Sequence, residues 1–472
     1  MQTKTTRSSE TPASSSAQAI DRLGIVTLLA SLYFFQTWGL TAGTSTLPPQ
    51  FHHAMMGISA LGIVFPRFWQ VLSVNALAFV CVYLIDSPIS SNNLTTAFFF
   101  AVVVLAVYLK EMLHRPHIDL SREDRFIAIA GPARWLLAGL YFYGIYHKIN
   151  ADFLDPTVSC AVVLYQTLAV HIALQDFAPG HYLAIYITFI IEAVAMVALF
   201  IPRLKALGML IGLPFHIIIG FSGYAYYKDF STIVLVLYAL FLTKSSVEFG
   251  VSRIANSVGG QATAARLGRL VLFAFVAIYF VASGAFNDIH NLRPTHKGFV
   301  SFFAFYTFIF YVFVALSLGK LSNKDTHYHW NWLYIIPVLF FLNGMSPYLG
   351  LKTKSSMAMF SNLHTEGGQT NHLLTGRLPG TFTYQENPVV VESSNNSGFD
   401  SVFAKDGKAL VRYEFDKILS LNPDLKATVT TREGTRITDE SWVNTYENTN
   451  WLLQKFLVFK PVDFNRPKVC TH

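Results

Sequence analysis

Of the 472 residues, 52% are hydrophobic, 15% aromatic and only 13% charged, a balance that excludes an ordinary soluble enzyme. The formal net charge of +7 does not mark a nucleic-acid surface, because the Lys and Arg residues are scattered between apolar runs instead of forming one stripe. The expected fold is an all-α polytopic membrane helix bundle with a small C-terminal extramembrane domain.

Residues 1–20, rich in Ser, Thr, Ala and Gln, are expected to form a disordered tail. Arg22 precedes an apolar run from Leu23 that lacks a convincing small-residue cleavage site, so an uncleaved first span is expected rather than a signal peptide. Further runs long enough, or nearly so, to cross roughly 30 Å of hydrocarbon begin near Trp69, Leu94, Ala133, Tyr182, Leu204, Phe230, Leu267, Phe299 and Trp332. They predict about eight to ten spans within residues 21–350. The segment Phe153 to Leu174, with Pro156, Gln166 and His171, reads as an interfacial or re-entrant helix.

Basic residues set the expected orientation. Lys110, Arg115, Arg122, Arg125 and Arg134 mark one cytoplasmic loop, Arg203 and Lys205 a second, Lys244, Arg253, Arg266 and Arg269 a third, and Lys320 and Lys324 a fourth. The loop around Asp152, Asp155 and Asp176 has no Lys or Arg and faces outward, as does everything after Gly350. Upstream of Lys110 the charges leave the count open, with one N-terminal span missing or re-entrant. His327 and His329 lie beside Trp330 and Trp332 on a cytoplasmic loop, where the tryptophans read as interface anchors rather than part of a metal site.

After Tyr348 the long apolar runs stop. Residues 351–472 predict a small β-rich domain on the outer face, with short runs at Phe382–Tyr384, Pro388–Glu392 and Leu410–Phe415, and a hairpin in ATVTTREGTRIT that turns at Gly434. The three cysteines, Cys81 and Cys160 in apolar segments and Cys470 near the end, imply neither a disulfide framework nor a metal spacing.

Polar groups inside spans are costly unless paired or hydrated, so they are the first candidates for function. Glu192, in the middle of YITFIIEAVAMVALFIP, is the one carboxylate read inside a span. His216 follows Pro214, whose missing N–H leaves a backbone carbonyl free. Lys148, with His147, ends the aromatic run WLLAGLYFYGIY. On spacing alone Lys148 suits a snorkelling lysine paired with Asp152 as well as a base, and His216 suits a structural hydrogen bond between helices. Glu192 needs a partner or a proton, which Lys148 or His216 could supply.

The stretch LLAGLYFYGIYHKINADFLDP resembles the signature of the vitamin K-dependent gamma-carboxylase family and its bacterial relatives with a horizontally transferred transmembrane domain. Lys148 matches that family's proposed catalytic base, and His147 stands where the eukaryotic carboxylase has a second lysine. Glu192 falls where the family has an acidic residue, and His216 matches a helix opening with an aromatic–His pair. NGMSPYLGLKTKSSMAMFSNLHTEGGQTNHLL is similar to the stretch that joins the last span to the β domain in bacterial members. The likeness runs from about Pro88 to the C-terminus. It departs at SPISSNNLTTAFFF, where many members have an Asn–His pair and this chain has Asn92 and Asn93, leaving Asn93 as the expected oxyanion donor. The animal carboxylase also continues into a larger lumenal region that grips a substrate propeptide.

The resemblance implies a base that deprotonates reduced vitamin K or a similar naphthoquinol, to which O2 then adds. The strongly basic product becomes an epoxide as it removes a proton from carbon, and CO2 captures the carbanion. It implies no metal. Such chemistry demands a neutral amine, a dry pocket and an oxyanion donor. Tyr141, Tyr143, Tyr146 and His147 are the expected quinone-binding residues, although aromatics at that density more often serve packing. The implied partners are membrane lipid, a membrane quinone and a peptide or protein bearing Glu, in a bacterial inner membrane with the C-terminal domain outside. Two other readings are a proton-coupled transporter using Glu192 and His216, against which the lack of an obvious inverted repeat counts, and a non-enzymatic membrane protein. Asn362, Glu366, Asn371 and His372 read as a structural collar over the outer mouth, while Thr44, Ser45, His52 and His53 receive no role.

Overall fold

The computed structural model describes residues 20–88, 91–113, 120–222, 225–282, 296–321, 331–376, 378, 382–404, 407–431, 434, 436–437 and 450–470. The N-terminal tail up to residue 19, together with Lys324, His327, His329 and Trp330, lies outside these residues.

The bundle is organised around helix α1 (Arg22–Thr41), which is buried along nearly its whole length. Asp21 caps it, accepting from Gly24 N at 2.8 Å and so satisfying one of the free N–H groups of the first turn. Its hydroxyl and amide side chains fit this central place because they bond inward: Thr27 to Leu23 O at 2.8 Å, Gln36 to the Tyr306 hydroxyl at 2.9 Å and Thr37 to Asp229 at 2.7 Å. Against it pack α2 (Pro49–Val64), α3 (Trp69–Asp86) and α5 (Arg122–Tyr146), with α4 (Asn92–Leu113) seated on α3 and α5. The short α6 (Ala151–Leu154) and α7 (Cys160–Ala169) follow, then α8 (Ala178–Phe200), α9 (Lys205–Gly220), α10 (Ala225–Ala239), α11 (Lys244–Ser257), α12 (Gln261–Ala282), α13 (His296–Ser317) and α14 (Ile335–Gly344).

Among the described residues six helices are long and apolar enough to cross a membrane: α1, α3, α4, α5, α8 and Val300–Lys320, which is α13 with its 3-10 extension. A seventh results if the pair Tyr227–Ala239 and Lys244–Ser257, bent by 108°, is one broken span. Of the expected runs, those from Leu204 and Trp332 form the shorter helices Lys205–Gly220 and Trp332–Gly344, because apolar length in sequence does not reveal where a helix stops. α2, absent from the ten predicted runs, packs along α1. Phe153 to Leu174 forms only α6, α7 and a 3-10 turn, in keeping with a segment that does not span. Large apolar side chains on α8 and α13, such as Leu183, Ile190 and Phe308, point away from the protein interior.

The two ends of α5 differ in chemistry. At its start Arg22 pairs with Glu123, Arg122 with Asp21 and Arg125 with Glu111; Arg134, expected in the same loop, is instead buried midway along the helix and donates to Leu240 O at 2.9 Å. At its far end the C-terminal region is seated, with Ala151 N donating to Asn371 O at 3.0 Å and Lys468 N to Asp152 at 2.8 Å. The cationic loops and the C-terminal region therefore lie at opposite ends of this 25-residue helix.

The C-terminal region is mixed rather than β-rich. Strands β1 (Val389–Ser394), β2 (Ala409–Leu410), β3 (Ala427–Thr431) and β4 (Arg436–Ile437) form an antiparallel sheet in the order β2-β1-β3-β4. Helices α15 (Ser397–Val402), α16 (Arg412–Leu421) and α17 (Trp451–Phe456) accompany it. The predicted hairpin is present as β3 and β4, with Gly434 at a φ of +82° that favours glycine. The run Leu410 to Phe415 instead leaves β2 after Leu410 and enters α16, so that Phe415 packs on Val389, Val391 and Val429. Phe382–Tyr384 forms no strand. Cys160 and Cys470 are joined in a disulfide across 310 residues, which corrects the sequence expectation: a cysteine inside an apolar run gave no sign of a partner so distant.

Candidate functional site

Lys148 follows α5 on a turn that its neighbours hold shut. Asn150 donates to His147 O at 2.7 Å and Ser361 O at 2.5 Å, and its Oδ1 accepts from Phe153 N at 2.7 Å to start α6. The chain reverses there, so the lysine stays inside, 5% exposed, and its ammonium does not reach water. Nζ lies 2.6 and 2.8 Å from the two carboxylate oxygens of Glu192 on α8. Asp152 is engaged elsewhere, by Asn371 Nδ2 at 2.7 Å and Lys468 N, so the i+4 pairing that the spacing allowed does not form. Gly144, one turn before Lys148, presents no side chain where a Cβ would stand 3.4 Å from Glu192 Oε2.

His216 reaches the same space from α9. Its Nε2 is 2.9 Å from the Tyr141 hydroxyl, which in turn bonds the hydroxyl of Tyr238 on α10. Its backbone carbonyl accepts from Ser231 Oγ at 2.6 Å, tying α9 to α10. Nδ1 is buried and has no hydrogen-bond partner among the described residues. Lys148, Glu192, His216, Tyr141 and Gly144 line one cavity of about 270 Å³ whose other walls, apart from Tyr165 and Thr188, are apolar, including Phe153, Leu164, Ile187, Phe230, Met357 and Phe360. Its size is near the roughly 300 Å³ lower end of small-molecule sites.

Tyr238 can enter only because residue 212 is glycine: a Cβ there would overlap the tyrosine hydroxyl. Gly212→Ala is therefore expected to lower stability by about 1–3 kcal/mol through overpacking. The double variant Gly212→Ala/Tyr238→Phe, which removes the nearest obstructing atom but leaves the ring carbon Cζ 2.7 Å from the new Cβ, should recover only part of that loss in thermal unfolding.

The helical repeat of α5 separates the predicted quinone-binding residues. Tyr141, Gly144 and Lys148, spaced i, i+3 and i+7, share the cavity face, whereas Tyr143, Tyr146 and His147 turn to another. Tyr143 donates to Phe341 O at 2.8 Å, Tyr146 bonds Thr375, and His147 faces Met357 O at 3.3 Å. These three correct the expectation: they join α5 to α14 and to the C-terminal region, and only Tyr141 lines the cavity.

Asn93 is also displaced from the expected role. Its Nδ2 donates to Asp229 Oδ2 at 2.7 Å, and it lines a second cavity of about 330 Å³ with Thr37, Asp86, Asn92, Tyr227 and Lys354. Met359 is common to both cavities, but Asn93 does not border the one holding Lys148. Asp229, 1% exposed, is another buried carboxylate that the sequence reading missed, since it began the apolar run one residue later, at Phe230. Tyr238, which meets the site through the Tyr141 hydroxyl, and the cavity-lining Met357, Met359 and Phe360 were missed too; nothing local marks them, because only the fold brings them there.

The polar stretch after residue 360, expected as a collar over the outer mouth, ties α5, the start of α7 and the C-terminal segment together, and none of Asn362, Glu366, Asn371 and His372 lines the cavity. Asn362 accepts from Cys160 N at 2.9 Å and donates to Val158 O and Lys468 O at 2.9 and 2.6 Å. Asn371 also holds Asn362 O, and His372 Nε2 is 2.9 Å from Tyr146 O. Burial would push the Glu366 carboxyl up, yet Lys468 and His364 beside it hold it below the ordinary carboxylate range. His52 lies apart from this site, with Nδ1 3.2 Å from the Thr41 hydroxyl. No family model, curated protein or solved structure matches the chain.

Proposed function

We propose that this chain is an integral membrane enzyme of the vitamin K-dependent gamma-carboxylase type, which binds a reduced naphthoquinone in the 270 Å³ cavity and deprotonates it at the Lys148–Glu192 pair. The observation that carries this reading is a buried amine–carboxylate pair set in the wall of an apolar cavity, facing the same space as a histidine nitrogen without a partner. A flat aromatic diol fits those groups: apolar walls for the rings, His216 Nδ1 for one oxygen and the Lys148 end for the other.

Paired at 2.6 and 2.8 Å, Lys148 and Glu192 can pass one proton between nitrogen and oxygen without opening the site. With that proton on Glu192, the Lys148 amine accepts the hydroxyl proton of the quinol, and the ammonium so formed faces the new oxyanion. The Tyr238–Tyr141–His216 chain sets which ring nitrogen carries hydrogen and orients the imidazole. The bound quinol, with O2, supplies the basic oxygenated species that drives carbanion formation for CO2 capture from a glutamyl or other acceptor.

Leu183, Ile187 and Ile218 both border the cavity and are exposed on the bundle's apolar surface, which supports entry of the quinol sideways from lipid. The cationic loops at one end of α5 and the disulfide at the other support an inner membrane with the C-terminal region on its outer, oxidising side. A proton relay from Glu192 to His216 is less well supported, since each is engaged by a different partner.

The test is incubation of purified protein with several naphthoquinols and O2, following epoxide formation and incorporation of labelled CO2 into a glutamyl peptide. Wild type is expected to form epoxide, and Lys148→Ala to lose at least about 100-fold in rate. Absence of epoxide from wild type with every quinol would remove the reading. Full activity in Lys148→Ala would remove the lysine as base.

A further inference from the structure

The segment Trp451–Phe456, α17, is a helix of only six residues, too short to persist without outside support. Asn450 caps it, accepting from Leu452 N at 2.9 Å. Lys455 anchors it, donating from Nζ at 3.0 Å to the carbonyls of both Leu84 and Ile85 in the last turn of α3. Those carbonyls are the electronegative end of a helix long enough to cross a membrane, a favourable seat for an ammonium.

This anchoring leaves three large apolar side chains outward: Trp451 is 67% exposed, Leu452 46% and Phe456 39%. They continue an apolar surface that begins on α3 itself, where Leu84 is 40% and Ile85 46% exposed. We propose that α17 is a bilayer-docking element that inserts Trp451, Leu452 and Phe456 at headgroup depth beside the outer end of α3, holding the C-terminal region against the membrane surface. The occupant is phospholipid because the patch is continuous with the face of a candidate span and carries a tryptophan, whose ring has one apolar and one hydrogen-bonding edge. Lys455 fits the same place, its stem among apolar groups and its charge on the helix end. This inference rests on the membrane reading above.

The experiment is tryptophan quenching in the full-length protein, reconstituted in phosphatidylcholine nanodiscs whose acyl chains carry bromine either near the headgroup or near the bilayer centre. The emission of Trp451 is obtained as wild type minus Trp451→Phe, a change that keeps an apolar aromatic ring at this exposed position while removing the indole fluorophore. Shallow bromine is expected to quench at least half of that difference emission, and deep bromine to quench it far less. If the difference emission is unaffected by bromine at either depth while Trp135, exposed on a candidate span, and Trp332, exposed at the start of the shorter apolar helix ending at Gly344, are still quenched in Trp451→Phe, this proposal alone falls. If no tryptophan is quenched, the membrane reading falls as well. A difference emission insensitive to bromine but dependent on the number of protein copies per disc would assign the patch to a second copy and overturn lipid docking.

Discussion

Glu192→Gln is expected to lower the unfolding free energy by about 3–5 kcal/mol, because it leaves the buried Lys148 ammonium without its counter-charge. Both side chains are nearly sealed from water, at 6% and 8% exposed, so relief by solvent is small. Lys148→Met/Glu192→Leu should behave differently. Replacing a buried ion pair with apolar groups of similar volume is commonly neutral or stabilising, so the double variant should regain most of the loss. It should nevertheless form no epoxide. Equilibrium unfolding in mixed micelles, run alongside the epoxidation assay, separates the two roles of the pair. Were Glu192→Gln to cost less than about 1 kcal/mol, the lysine would have to find water or lose its proton, and the pair would not be the buried unit described.

Removing the disulfide is the second large effect. Cys160→Ala/Cys470→Ala is expected to cost about 2–4 kcal/mol, toward the upper end because the bond closes so long a stretch of chain. The loss should also reach the cavity. Cys160 is the first residue of α7, whose Ala161, Leu164 and Leu168 line the site, and Cys470 ends the strap held by Asn362 and Asp152. With the strap cut, the KM for quinol should rise more than kcat falls, since Lys148 and Glu192 are held by other contacts. Non-reducing peptide mapping must show the 160–470 linkage in wild type. If both thiols alkylate without reductant, the strap is not covalent and this expectation fails.

Some of this organisation was legible in the sequence because it follows from local rules. The apolar runs from Leu23, Trp69, Leu94, Ala133, Tyr182 and Phe299 each correspond to a helix long enough to cross a membrane. Charge placement marked one end of α5 as basic and the loop around Asp152 as its opposite. Gly434 between alternating residues announced the hairpin. Lys148, Glu192 and His216 were conspicuous because charged or titratable groups in apolar runs are costly, and all three border one cavity.

Other features depend on relations that no short window contains. The aromatic row of α5 reads as one feature, but a 100° step per residue sends Tyr141 to the cavity and Tyr143 and Tyr146 elsewhere, and only neighbouring helices decide which face is inward. Asn93 was placed by motif, whereas Asp229 on a distant helix claims its amide. Sequence by itself determined the apolar helices, their charged end and three expensive polar side chains, since each is a property of composition along a single segment. Tertiary structure alone decided that Lys148 turns to Glu192 rather than Asp152, that Cys160 meets Cys470, and that Gly212 admits Tyr238, because each depends on which groups the packed helices bring within hydrogen-bond or bonding distance.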